Sequence, residues 1–151
     1  MTLLALDLGT NMGYAISSKG TVVSGSVSFK PGKFDGGGMR PLKFHRWLDD
    51  LHKTSVVTEV AFEAVRRHLG TDAAHIYGAL MGVLTMWCEA NKVPYEGVSV
   101  QAIKMFATGK GNAGKEAVTA AVKKRWGHNP KTDDEADALA LLHLKLNEIW
   151  N

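Results

Sequence analysis

Cysteine is nearly absent from this 151-residue chain. Cys88 stands alone, so no internal disulfide can form and no zinc site built from several cysteines exists. Long apolar runs are missing too. No stretch reaches the roughly 18 residues that a membrane-crossing helix requires. The N-terminal stretch Met1-Thr2-Leu3-Leu4-Ala5-Leu6-Asp7 carries no basic leader, and its apolar run is too short for a secretory signal. Internal repeats and a dividing linker are also lacking. Together these absences lead us to expect one domain over residues 1–151 in a reducing, cytoplasmic compartment.

What is present is an ordinary globular composition, 45% hydrophobic and 22% charged, with a formal charge of +3. The small net charge hides an uneven distribution. Lys104, Lys110, Lys115, Lys123, Lys124, Arg125 and Lys131 crowd one segment. Lys30, Lys33, Arg40, Lys43 and Arg46 form a second group, and Arg66-Arg67-His68 a third. Acids gather instead in Asp133-Asp134-Glu135-Ala136-Asp137. Basic helix faces in contact with water account for such lysines equally well. A basic surface around an acidic pocket, however, suits a polyanionic substrate cut with the help of bound metal.

Hydrophobic patterning gives the element order. Leu3 to Leu8 reads as a buried strand ending in the turn Gly9-Thr10-Asn11. Gly13 to Ser18 and Thr21 to Phe29 read as strands joined by a Lys19-Gly20 hairpin turn. Lys30 to Pro41 is glycine- and proline-rich loop. Leu42 to Lys53 has a helical apolar stripe, and Val56 to Phe62 is a strand ending on Glu63. Asp72 to Asn91 is a long helix in which Gly78 and Gly82, one turn apart, leave room for another helix to approach. A short strand (93 to 98), a short helix (100 to 107), a glycine-rich loop (109 to 114) and a helix from Lys115 to Trp126 follow. The last helix runs from about Thr132 to Trp150. A hairpin meander followed by strand–helix crossovers predicts a mixed sheet covered by helices.

Asp7 is the anomaly of the first strand, because a charge in a buried run is costly unless something neutralises it. It lies at the carboxyl end of the strand, where open α/β sheets bind their ligands. Glu63 has the same character after Val60-Ala61-Phe62. If the two strands are parallel neighbours, the side chains start roughly 5 Å apart. Carboxylates that close repel unless a cation lies between them. In the last helix, Thr132 and Glu135 fit a capping box, and acids in a first turn favour the helix dipole. Asp137 is less easily explained that way, since it abuts the apolar Ala138-Leu139-Ala140-Leu141-Leu142. It shares a face with Asp134 and equally with Asp133; spacing does not choose between them. Oxygen-only ligands select hard cations, Mg²⁺ or Mn²⁺. Three or four carboxylates can hold two such ions about 4 Å apart and clamp an in-line phosphodiester displacement.

Three motifs carry a family resemblance: Ala5-Leu6-Asp7-Leu8-Gly9-Thr10-Asn11-Met12-Gly13-Tyr14-Ala15, Phe62-Glu63-Ala64-Val65 and Asp134-Glu135-Ala136-Asp137-Ala138-Leu139-Ala140. Between the last two lie Val100-Gln101-Ala102-Ile103-Lys104 and Gly109-Lys110-Gly111-Asn112-Ala113-Gly114-Lys115. In this order the chain resembles the RuvC-type Holliday-junction resolvases over nearly its whole length. The resemblance implies an α/β, ribonuclease H-like mixed five-stranded sheet flanked by helices. It implies a homodimer, two Mg²⁺ or Mn²⁺ ions per active site, and paired nicks in four-way DNA junctions that leave ligatable ends. By position, Asp7, Glu63, Asp134 and Asp137 would be the metal ligands, which selects Asp134 over Asp133. Lys104 and Lys115 would lie near the scissile phosphate as catalytic groups. Arg66, Arg67 and Lys110 would join them in binding DNA, and the helix carrying Gly78 and Gly82 would form the dimer contact. Bacterial members often carry an aromatic residue shortly after the second acid. Here Arg66-Arg67-His68-Leu69 stands in its place, and arginine commits less to one base step. Broader cleavage of branched DNA, including forks and flaps, is therefore expected.

Two rivals remain at this level. Asp7-Leu8-Gly9-Thr10 also resembles the phosphate loop of actin-like and sugar-kinase ATPases, although those need a second domain that this length does not provide. A non-catalytic branched-DNA-binding module would keep the fold without the chemistry, yet all four acids are present. The spacing of Gly109 to Lys115 matches a nucleotide-binding loop. Glu116 stands where its metal-binding hydroxyl should be, and a helix precedes it. No nucleotide cofactor is expected. None of the six histidines has metal-ligand spacing.

Overall fold

The computed structural model describes residues 1–68 and 70–150, the side chain of Trp150 excepted; Leu69 lies outside the described residues. The first strand, β1 (Thr2–Asp7), is buried on both faces, as its unbroken apolar run requires. It pairs antiparallel with β2 (Asn11–Ser18), and β2 pairs antiparallel with β3 (Thr21–Ser28). Lys19 and Gly20 both have positive φ, 52° and 79°, the geometry of the two-residue hairpin turn expected there. On its other side β1 pairs parallel with β4 (Glu59–Ala64), which pairs parallel with β5 (Tyr95–Ser99). The result is the expected mixed five-stranded sheet, in the order β3-β2-β1-β4-β5.

Helices cover both faces. Helices α1 (Met39–Thr54) and α2 (Thr71–Asn91) share a core with Leu4, Leu6, Val60 and Phe62. On the opposite face α3 (Val100–Thr108), α4 (Lys115–Trp126) and α5 (Asp133–Trp150) pack on Leu3, Ala5, Ala15 and Ala61. The small side chains of this second face let α5 lie close across the middle of the sheet.

Several boundaries differ from the sequence reading by a residue or more; Asn11, read as turn, already belongs to β2, and three differences have a clear local cause. Helix α1 begins at Met39, so Pro41 is helical rather than loop. It occupies the first turn, where a missing N–H removes no helical bond. Strand β4 begins at Glu59 rather than Val56, because the Val57 N–H is taken by His52 Nδ1 (3.1 Å). It also runs through Glu63 to Ala64, which places that acid inside the pairing. Strand β5 starts at Tyr95 because the Val93 N–H bonds Cys88 O (2.9 Å), closing the end of α2.

Near its far end α5 is tied to the sheet by Lys145, 6% exposed, whose Nζ donates to Glu96 of β5 and to Glu148 Oε2 (2.8 Å). Lys145→Ala is expected to destabilise the fold by about 1–2 kcal/mol, since both acids remain half-exposed and can rehydrate. Lys145→Met, which keeps the buried stem, should lose less. Urea denaturation of the two variants measures the difference.

Candidate metal centre

Strand alternation decides where the two isolated acids point. Leu4 and Leu6 face α1 and α2, so Asp7 shares the opposite face with Leu3 and Ala5. The same alternation in β4 sends Glu63 to the side of Ala61. Both acids therefore look toward α5 from adjacent parallel strands, at their carboxyl ends.

What brings the α5 acids to them is Gly13. It is paired with Asp7 across β1 and β2. A Cβ on Gly13 would lie 1.9 Å from the backbone oxygen of Asp134 and 2.2 Å from its carbonyl carbon. Only a residue without a side chain lets the first turn of α5 sit directly on the sheet. That turn is held from two sides. Thr132 Oγ1 accepts from the Glu135 N–H (3.1 Å), as the capping box predicts. The Glu135 carboxylate is buried; it accepts from the Lys131 N–H (2.9 Å) and from Ser24 Oγ of β3 (2.7 Å). Glu135 is thus both cap and anchor, and Asp137, on another face of the helix, turns toward Asp7.

Carboxylate oxygens of Asp7, Glu63 and Asp137 lie within 4.8 Å of one another. Asp134 is not one of these three, but it is near enough for its charge to raise the Asp7 carboxyl. Burial, then Glu63 and Asp137, push the Asp7 carboxyl well above the usual carboxylate range. Burial, then Glu63 and Asp134, raise Asp137 to about 7. Glu63 and Asp134 are also raised, chiefly by burial. A cluster this crowded titrates as a unit and favours anything that supplies positive charge. Its donors are all hard oxygens, which fit Mg²⁺ or Mn²⁺.

Basic side chains surround the cluster unevenly. Lys104 of α3 lowers the pKa of Glu63, so its charge reaches the site. Lys115, the first residue of α4, lies 4.0 Å from Asp133 and lowers the pKa of Asp134. Asp133 is therefore engaged with Lys115, on the outer side of the turn. Lys110 is exposed in the loop between α3 and α4. That loop follows a helix rather than a strand, so it lacks the strand–loop–helix frame of a nucleotide site. Arg66 and Arg67 are exposed just beyond β4 and border an open cleft. Gly78 and Gly82 lie exposed on α2, with nothing described within 4 Å of where a Cβ would be. They do not admit a neighbouring helix of the described chain.

Tyr77, buried on α2, also bears on the position of Glu63. Its hydroxyl donates to Glu63 O (2.8 Å) and accepts from the Val65 N–H (3.1 Å), clamping β4 where it presents Glu63. The available signal was a hydroxyl on a buried helix stripe, which must find a polar partner. Gly13 stood in the first motif, but nothing local marked it as the contact point of a helix 120 residues later. His143 is a packing residue: it stacks on Trp126 at 4.4 Å and its Nε2 lies 2.8 Å from His128 Nε2.

Sheet order and acid cluster together define a ribonuclease H-like protein with a carboxylate centre suited to divalent cations. No family model matches the sequence. The crossover junction endodeoxyribonuclease RuvC of Brachyspira hyodysenteriae is 31% identical over 106 residues, covering 69% of this chain and 66% of that protein. The match thus spans just under two thirds of the relative's length. Two structures of Thermus thermophilus RuvC, one of them in complex with a Holliday junction substrate, superpose with TM-scores of 0.74 and 0.76 at 24% identity. Each comparison covers 99% of this chain and 96% of the other. The yeast mitochondrial Holliday junction resolvase Ydc2 shares the fold at a TM-score of 0.59 and 13% identity, over 98% of this chain and 82% of its own. The chain is similar in sequence to the Brachyspira RuvC and shares the fold of the solved RuvC structures over nearly its whole length.

Proposed function

We propose that the chain resolves four-way DNA junctions, and cleaves other branched DNA, by divalent-metal-dependent phosphodiester hydrolysis in paired nicks. The observation that carries this is the convergence of Asp7, Glu63 and Asp137 from three separate elements, with the charge of Asp134 close by. Asp7, Glu63, Asp134 and Asp137 would hold two Mg²⁺ or Mn²⁺ ions, which when bound supply charge neutralisation and an activated water. Lys104 and Lys115 flank the acids on either side and neutralise charge developing on the phosphate in the transition state. Arg66, Arg67 and Lys110 hold neighbouring phosphates and fix the register of the strand. Tyr77 keeps the end of β4, and with it Glu63, from shifting as the substrate enters. Such a protein would serve DNA recombination and repair in the cytoplasm of a bacterial cell, or of a host cell if phage-encoded.

Nicking of labelled four-way, fork, flap and linear DNA in Mg²⁺ and in Mn²⁺ tests the reading. Cleavage of the branched forms but not the linear one is expected, with rates on fork and flap comparable to those on the junction. Binding of the junction without nicking in either metal would favour a non-catalytic module. Lys104→Ala and Lys115→Ala should each slow nicking by about 10²-fold while junction affinity in gel-shift assays falls only severalfold. Equal losses of binding and rate would make the lysines general phosphate contacts.

The partner is a second copy of the chain, joined through the exposed α2 face around Gly78 and Gly82, where small residues permit close helix approach. Gly78→Leu is expected to convert a dimer to a monomer in sedimentation experiments. A dimer that survives both this change and Gly82→Leu would place the contact elsewhere.

A further inference from the structure

Two phenylalanines five residues apart meet opposite fates. Phe29, just past β3, is 5% exposed and packs on Phe44 of α1 with ring centroids 5.4 Å apart. Phe34 is 94% exposed, more than any other large apolar side chain among the described residues. No loose coil displays it. Gly32 O accepts from the Asp35 N–H (3.0 Å), closing the turn Gly32-Lys33-Phe34-Asp35 with Phe34 at its tip. The Asp35 carboxylate accepts in return from the Gly32 N–H (2.8 Å) and lies 3.7 Å from Lys43 Nζ. Lys43 also donates to Lys30 O (3.3 Å), which braces the turn against α1. The turn thus fixes a phenyl ring in water, where it contributes nothing to the core.

The surroundings say what would cover it. From residue 30 to residue 43 the chain carries the cations Lys30, Lys33, Arg40 and Lys43, and one acid, Asp35, already engaged. Lys33 Nζ lies 5.6 Å from the Phe34 ring centroid. Cations beside an aromatic face fit a nucleic acid strand, phosphate for the one and a base for the other. The place in the fold fits too. Strand β3 runs in the same direction as β1, two strands (about 10 Å) away, so the turn beyond it lies at the sheet end where Asp7 stands. Arg66 and Arg67 follow β4 at that same end, on the other side of Asp7. A DNA branch seated over the acids therefore meets the Phe34 turn on its β3 side. We propose that Phe34 is a branch-positioning residue: its ring stacks on a base left unstacked at the branch point, while Lys30 and Lys33 hold the phosphates beside it. Every base has a face to stack on, so the contact reads no sequence. A continuous duplex offers the ring no open base face, so the contact favours branched over linear DNA. This rests on the branched-DNA reading above.

The test is binding without catalysis. Gel-shift titrations in chelator compare a four-way junction with a linear duplex, and 2-aminopurine replaces each base flanking the branch in turn. The natural chain is expected to prefer the junction and to change the fluorescence at one branch position. Phe34→Ala should weaken junction binding about tenfold, leave duplex binding unchanged and abolish the fluorescence change. Phe34→Trp, which keeps a stacking face, should retain both. The ring lies outside the core, so both variants should melt with the natural chain. A parallel titration with anionic phospholipid vesicles covers the other partner that cations beside an aromatic ring would suit. Junction binding unchanged in Phe34→Ala, an equal loss on junction and duplex, or a loss of vesicle binding instead overturns the proposal. A natural chain that binds the junction but nicks nothing in Mg²⁺ or Mn²⁺ removes the nuclease reading and leaves these binding outcomes to decide. One that binds no branched DNA removes both.

Discussion

Asp7→Asn is expected to cleave a four-way junction at least about 10³-fold more slowly and, without metal, to melt at a higher temperature than the natural chain. Both effects come from the same feature. Asp7 is the most deeply buried of the four acids and feels the charge of the other three, so its charge is the one the bare fold least tolerates. Asparagine keeps the shape and can still hydrogen bond, but removes the charge. Losing a central ligand of a two-cation centre removes most of the electrostatic stabilisation of the transition state.

The sign of the pH dependence follows from the raised pKa values. A carboxyl that holds its proton more tightly folded than unfolded makes the unfolded chain the better acid. Stability is then greatest below the unfolded value, about 4, and falls as pH rises through the folded one. For Asp137 that window runs from about 4 to about 7. The metal-free natural chain should therefore lose melting temperature steadily from pH 5 to pH 8. Asp7→Asn should flatten that slope, because the remaining acids no longer face a fourth. Mn²⁺ should restore the natural chain, more at pH 8 than at pH 6, since metal and proton compete for the same oxygens. Fluorimetric melting at several pH values with and without Mn²⁺ measures all three effects. A melting temperature that rises with pH in the metal-free chain would contradict the electrostatic account.

Gly13→Ala is expected to have the second-largest effect, although the substitution adds one methyl group and alters no carboxylate. The methyl carbon would overlap the backbone of Asp134, which has no flexible end to swing aside. Helix α5 must lift from the sheet, straining the contacts of Ser24 with Glu135 and displacing Asp134 and Asp137 from Asp7. Overpacking of this kind costs about 1–3 kcal/mol. For a chain of this size that is a fall in melting temperature of roughly 3–10 °C. Activity should fall much further, by about 10²-fold or more, because a displacement of an ångström is enough to spoil a catalytic geometry. Calorimetric titration with Mn²⁺ separates the two consequences: a weakened metal affinity in a protein that still melts cooperatively is the predicted result. Natural affinity with lowered stability would show that α5 re-docks without moving its acids.

Much of this architecture was legible in the residues because local patterns and global fold agree. The apolar run Leu3–Leu6, the Lys19-Gly20 turn and the stripe of α2 each specify an element without help from elsewhere. Asp7 and Glu63 stood out because an acid in an apolar run violates the pattern around it, and such violations gather at functional sites. What could not be read was everything that depends on two distant segments touching. Nothing near Gly13 announces Asp134. Spacing left Asp133 and Asp134 equivalent, and it could not announce that Asp133 lies 4.0 Å from Lys115. Nothing near Tyr77 announces its partners, which lie twelve and fourteen residues earlier at and just beyond the end of β4. The boundary errors at Pro41 and Val56 have the same origin: a proline is tolerated by a first turn, and a β-branched residue is spent on crossing from helix to sheet.

The most direct test of the central claim is a nicking assay on a four-way junction labelled on each strand in turn, with Mg²⁺ and with chelator. The account predicts nicks at symmetric positions in two opposed strands, leaving ends that a ligase seals, and no nicks once the metal is removed. Undiminished nicking in chelator, or nicks that fall at unrelated positions in the four strands, would contradict it.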